Sequence, residues 1–99
     1  MYAIHFKELA VADLQTIRPF HRRRIVDALE EQLKSRPLEP HRNRKPLVGL
    51  ATPWEQVRPV WQLRVGTYRV FYDVDEEERQ VIIQAIRHKP AGKTTKEIL

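Results

Sequence analysis

Ninety-nine residues, with 18 lysines and arginines against 13 acids, carry a formal charge of +5, and 41% of them are hydrophobic. A chain of this size supports one core and a single domain over residues 1–99, and its apolar content argues against wholesale disorder. The absence of cysteine excludes disulfides and zinc–thiolate centres, and no apolar run nears the ~18 residues of a membrane span or forms a leader. A reducing cytoplasm fits that absence without following from it; a cytoplasmic protein with no cofactor or metal is the expectation.

Residues 2–6 alternate in apolar character and predict a first strand. Ala10, Leu14 and Ile17 then fall at helical spacing. Arg18-Pro19 ends that helix, because a residue before proline is pushed out of the helical region, and Pro19 suits the first position of a second helix. Ile25, Leu29 and Leu33 carry this second helix to about Ser35, with Glu30 and Lys34 as a surface pair. Five of the seven prolines lie between Pro37 and Pro59, which predicts an irregular connection pinned down by Leu47, Val48, Leu50 and Trp54.

Residues 60–65 and 68–74 alternate around Gly66-Thr67 and predict a tight hairpin. Trp61, Leu63, Val65, Tyr68, Val70, Tyr72 and Val74 should face inward, leaving Arg64, Arg69, Phe71 and Asp73 on the other face. Residues 79–87 form a last apolar strand, in which Gln84 suggests that the even positions, His88 included, look outward. The order β-α-α-β-β-β predicts an α+β fold, with a small antiparallel sheet packed on a two-helix hairpin.

The basic surplus favours a polyanionic partner, either nucleic acid or an acidic protein. Three glycines cannot build a phosphate loop, the four histidines lack metal-binding spacing, and Ser35 is the only serine. What remains is a set of cations gathered by the late strands: Arg64 and Arg69 beside the hairpin turn, then Arg87, His88, Lys89 and Lys93. Together they could form a groove for phosphate, with Phe71 as a stacking platform for single-stranded RNA. The competing reading is a solvated basic face, or an Arg69–Asp73 pair. A ribonuclease without metal needs a base for the 2′-hydroxyl, an acid for the leaving 5′-oxygen and cations for the phosphorane. An imidazole has an ordinary pKa of about 6.5, so His88 suits the base, while the forked guanidinium of Arg69 suits the charge.

The pattern Leu63-Arg64-x-Gly66-x-Tyr68-Arg69-Val70-x-Tyr72 resembles a signature of the RelE/ParE toxin superfamily, the toxic halves of type II toxin–antitoxin pairs. The resemblance implies the α+β fold above. It also implies either cleavage of mRNA on the ribosome, as in the RelE-like branch, or poisoning of DNA gyrase, as in the ParE-like branch. It matches Arg69 to a catalytic position of the RelE-like branch and sets His88 and Lys89 where such toxins carry another functional cation, so these three are the expected catalytic set; Arg64, Phe71 and Arg87 from the groove above, with Lys93, are the expected RNA-binding set. Lys93 enters through the tail Lys89-Pro90-Ala91-Gly92-Lys93, which is similar to archaeal members. An acidic antitoxin is implied as partner, held by the basic groove and by Leu47, Val48, Leu50 and Trp54; operator DNA is reached only through it. Two departures stand out. Val60 and Gln62 occupy positions where bacterial RelE-like enzymes place lysines, and no tyrosine follows Tyr72. The expected function is a ribosome-dependent mRNA endoribonuclease, with a gyrase-binding inhibitor or a toxin reduced to antitoxin binding as alternatives.

Overall fold

The chain begins with strand β1 (Ala3–Phe6) and turns at Lys7 into helix α1 (Glu8–Gln15). Helix α2 (Pro19–Leu33) opens with proline at its first position. The corner between the helices is locked by Arg22, which donates from Nε to the Leu14 carbonyl (3.0 Å) and from Nη2 to the Ile17 carbonyl (2.8 Å). One cation thereby ties the last turn of α1 to the corner that follows it. Strands β2 (Arg44–Pro46), β3 (Trp61–Val65), β4 (Tyr68–Asp75) and β5 (Gln80–His88) follow, and a short helix α3 (Thr95–Ile98) closes the chain. These elements come from a computed structural model that describes residues 1–99.

The five strands form one sheet in the order β1-β5-β4-β3-β2. Strands β3, β4 and β5 pair antiparallel with one another, as expected, and β2 adds antiparallel to β3; β1, by contrast, lies parallel to β5, with Ala3 opposite Gln80 and Phe6 opposite Ile83. Ile25, Leu29 and Leu33 of α2 pack on Leu63, Val70, Tyr72, Val81 and Ile83 to form the main core. Each such side chain contributes roughly 1.5–3 kcal/mol when fully buried. Tyr72 closes one end by donating its hydroxyl to the Pro37 carbonyl at 2.7 Å.

Three further features differ from the sequence expectation. The proline-rich segment is not wholly irregular, since Arg44–Pro46 pairs with Trp61–Leu63 as an edge strand. That strand is anchored by Arg44, which is buried and donates to the carbonyls of Glu39 (3.1 Å) and Gln32 (2.9 Å). The C-terminal residues fold back over the second face of the sheet, where Ile98 and Leu99 join Leu47 and Trp54 over Val60, Phe71 and Ala85. Finally, the β4–β5 ladder carries a bulge, so that Phe71 faces Ala85 but Tyr72 faces Ile83, leaving Gln84 as the extra residue. A bulge reverses the facing of every residue beyond it. Val81 and Ile83 point to the helices before it, and Ile86 and His88 after it.

Candidate phosphate-binding site

Alternation along a strand sends neighbouring side chains to opposite faces, so Arg69 leaves the helix side that Tyr68 and Val70 occupy. It emerges on the second face, directly opposite Arg64 on β3. Arg69 is largely buried, and its Nη1 donates to the carbonyls of Gly66 (3.0 Å) and Tyr68 (2.9 Å). Burial, and then the Arg64 guanidinium, lower its pKa from the usual arginine value. No carboxylate lies within ion-pair distance of either arginine. The alternative pairing with Asp73 is not made, because Asp73 accepts instead from Gln84 (3.2 Å) and Arg58 (3.5 Å). Two guanidiniums directly opposed with no carboxylate partner repel each other, and an anion between them would relieve that repulsion.

Around this pair lies a small cavity of about 190 Å³ with no hydrophobic lining. Lys89 enters it from the end of β5, where its N–H donates to the Thr67 carbonyl at 2.6 Å. Strand β2 and the residues before it contribute Arg42, Asn43 and Lys45, with Lys45 opposite Gln62 in the ladder. Thr95 of α3 completes the wall and donates to Gln62 Oε1 at 2.8 Å. Arg42, Lys45, Arg64, Arg69 and Lys89 therefore line one cavity with no acid or imidazole among its walls.

Of the residues singled out by sequence, Arg64, Arg69 and Lys89 come together here and the others do not. His88 lies on the helix side, its ring 5.3 Å from that of Tyr68, so the sheet separates it from Arg69. The bulge at Gln84 is the cause, and it removes His88 as a base acting on a phosphate held by Arg69. Arg87 reaches over the open edge of β5 to Asp13 (2.5 Å) and is spent on that ion pair. Phe71 is completely buried, with the Trp54 ring 5.9 Å away, and offers no platform to a base. Lys93 is exposed, 3.8 Å from Glu97, and does not line the cavity. Among the apolar loop residues, Leu47 and Trp54 are used on the second-face core, Leu50 is half-buried, and Val48 is 89% exposed. Sequence reasoning missed Arg42 and Lys45, whose one signal was basic residues on either side of Asn43-Arg44 in a segment read as loop.

A small α+β domain with a cationic, acid-free cavity on its sheet is the class that fold and site define. Residues 4–90 match the ParE toxin of type II toxin–antitoxin systems, parDE, and the chain belongs to this family within the RelE/ParE superfamily. No curated sequence matches it. Among solved structures it is similar to a chain of the Mycobacterium tuberculosis RelBE2 toxin–antitoxin complex, at 28% identity and a TM-score of 0.70, covering 89% of this chain and 98% of that one. It is also similar to the archaeal RelE–RelB complex from Pyrococcus horikoshii, at 25% identity and a TM-score of 0.62, covering 94% and 98%. The intact E. coli RelBE complex shares the fold at 24% identity and a TM-score of 0.65, covering 91% and 98%.

Proposed function

We propose that this toxin arrests translation by cutting mRNA on the ribosome, with a backbone phosphate seated between Arg64, Arg69 and Lys89. The observation that carries the reading is the unpaired, partly desolvated Arg69 within a cavity lined by five cations. Such a guanidinium is worth most to a phosphate as negative charge builds on its oxygens. In the proposed step the 2′-oxygen attacks phosphorus and the P–O5′ bond breaks. The 2′-proton leaves to water, and an ammonium of Lys45 or Lys89 protonates the 5′-oxygen, giving a 2′,3′-cyclic phosphate and a 5′-hydroxyl. With no imidazole or carboxylate lining the cavity, the chain contributes charge stabilisation more than proton abstraction. That division of labour suits a reaction in which the ribosome positions the attacking hydroxyl.

Cleavage of ribosome-bound message tests the reading. Arg69→Ala should lower the rate at least a hundredfold, and the wild-type rate should climb steadily between about pH 6 and 9, without a limb near 6.5. His88→Gln should leave that pH profile unchanged. An absence of cleavage by the wild type overturns the proposal. The lack of a base favours a second reading, a gyrase inhibitor that acts by binding alone, and trapped DNA breaks in a supercoiling assay would establish it. In either case we propose an acidic antitoxin as partner, drawn by the basic end of the sheet and by the bare Val48 and Val57 of the proline-rich loop.

A further inference from the structure

The two faces of the sheet end differently at the hairpin tip. On the second face lie Arg69 and Lys89. On the helix face their neighbours Tyr68 and His88 stand opposite one another, and the His21 ring of α2 lies 5.8 Å from that of Tyr68. These three rings border a cavity of about 500 Å³ between α1, the start of α2 and the open end of β5. That volume falls in the range of small-molecule sites. Its remaining polar groups are incompletely used. Asp13 accepts from the Ile86 N–H (2.9 Å) and from Arg87 through Oδ2 alone, leaving Oδ1 without a partner. Arg18 is exposed and has no carboxylate within ion-pair distance.

We infer that this cavity is a nucleobase subsite, which receives one unstacked base of the same RNA strand whose phosphate the Arg69 cavity holds. The inference rests on the RNA reading above. Aromatic and imidazole faces are what a splayed-out base stacks on, and a free carboxylate oxygen beside them accepts from amino or imino N–H groups on a base edge. Arg18 at the mouth is placed for a flanking phosphate. The strand would cross the hairpin tip, with its backbone over Lys89 and one base turned inward past His88. Continuity is built into the backbone, because residues 68–69 and 88–89 each send one side chain to the base cavity and the next to the phosphate cavity.

The test uses a short 2′-O-methyl RNA, which cannot be cut, scanned with a single abasic position while affinity is read by fluorescence anisotropy. One abasic position should cost the wild type about tenfold in affinity. His88→Ala and Tyr68→Leu should bind the intact probe about tenfold more weakly, show no response to the abasic position, and keep the wild-type salt slope, since the phosphate contacts survive. His88 is exposed, so its alanine variant reports even where Tyr68→Leu fails to fold. If every abasic probe binds the wild type like the intact one while affinity still falls with salt, the subsite is wrong and the phosphate site stands. If His88→Ala weakens an acidic antitoxin peptide and leaves RNA untouched, the cavity belongs to a protein partner and the inference is overturned. If no probe binds even at low salt while ribosome-bound message is still cut, the subsite is overturned and the RNA reading stands; if that message is not cut either, both fall.

Discussion

Arg64 and Arg69 oppose each other across two hydrogen-bonded strands, and neither has an acid to answer it. Like charges directly opposed in a ladder cost roughly 0.2–1 kcal/mol. Arg64→Gln is therefore expected to raise stability by about that amount in a urea titration, because Arg64 is exposed and makes no side-chain hydrogen bond. The same variant should bind RNA more weakly and reduce the salt slope by about one. A drop in stability would show that the repulsion is not felt. Tyr72 presents the opposite case, a buried polar group used for the fold. Burial pushes its phenol well above the usual tyrosine range, with Arg44 offsetting only part. The fold prefers the neutral phenol, so this contribution is complete below about pH 10 and is lost as the pH rises further. Tyr72→Phe should cost about 1 kcal/mol at neutral pH, by orphaning the Pro37 carbonyl, and should flatten the alkaline fall in stability.

At the level of elements, what the sequence reveals depends on the kind of signal. The hairpin of β3 and β4 was legible because its alternation is unbroken on both sides of Gly66-Thr67. Both helices were legible from apolar spacing and from Pro19. Facing along β5 was not, because Val81-Ile82-Ile83 and Ala85-Ile86 are apolar on both faces and a one-residue bulge leaves no mark in such a run. This single residue moved His88 from the candidate site to the far side of the sheet. Strand β2 was hidden for another reason. It is three residues long and includes a proline, which an edge strand tolerates. Its position is set by Arg44 reaching the helix-end carbonyl of Gln32, a contact no local pattern announces. Arg44→Met should cost about 1–3 kcal/mol by leaving those carbonyls without a donor. It should also weaken RNA binding, although Arg44 does not line the phosphate cavity, because Arg42 and Lys45 lose their mooring. Unaltered RNA affinity in a folded Arg44→Met protein would separate β2 from the site.

Taken whole, the molecule is charged unevenly from end to end. The β3–β4 turn gathers Arg64, Arg69 and Lys89, with Arg24 of α2 close to Gly66, whereas the β4–β5 turn carries Asp75, Glu76, Glu77 and Glu78. The length of β4 separates the two ends by roughly 25 Å at ~3.3 Å per residue. Screening extends only about 8 Å at physiological ionic strength but about 30 Å at 0.01 M. Changing Glu76, Glu77 and Glu78 together to Gln should thus leave RNA affinity within about twofold at physiological salt and raise it several-fold at 0.01 M. A large effect at physiological salt would mean that the acidic turn touches the ligand.

The parallel union of β1 with β5 joins residues 3–6 to residues 80–83, close to opposite ends of the chain. While the polypeptide is being synthesised, its first strand has no lateral neighbour until nearly the last has emerged. At a synthesis rate of about 5–20 residues per second, the growing chain spends seconds unable to complete the sheet, and slow long-range closure lengthens the delay. A sheet closed only by so distant a pairing leaves its edges open to any binder that reaches the unfinished chain first.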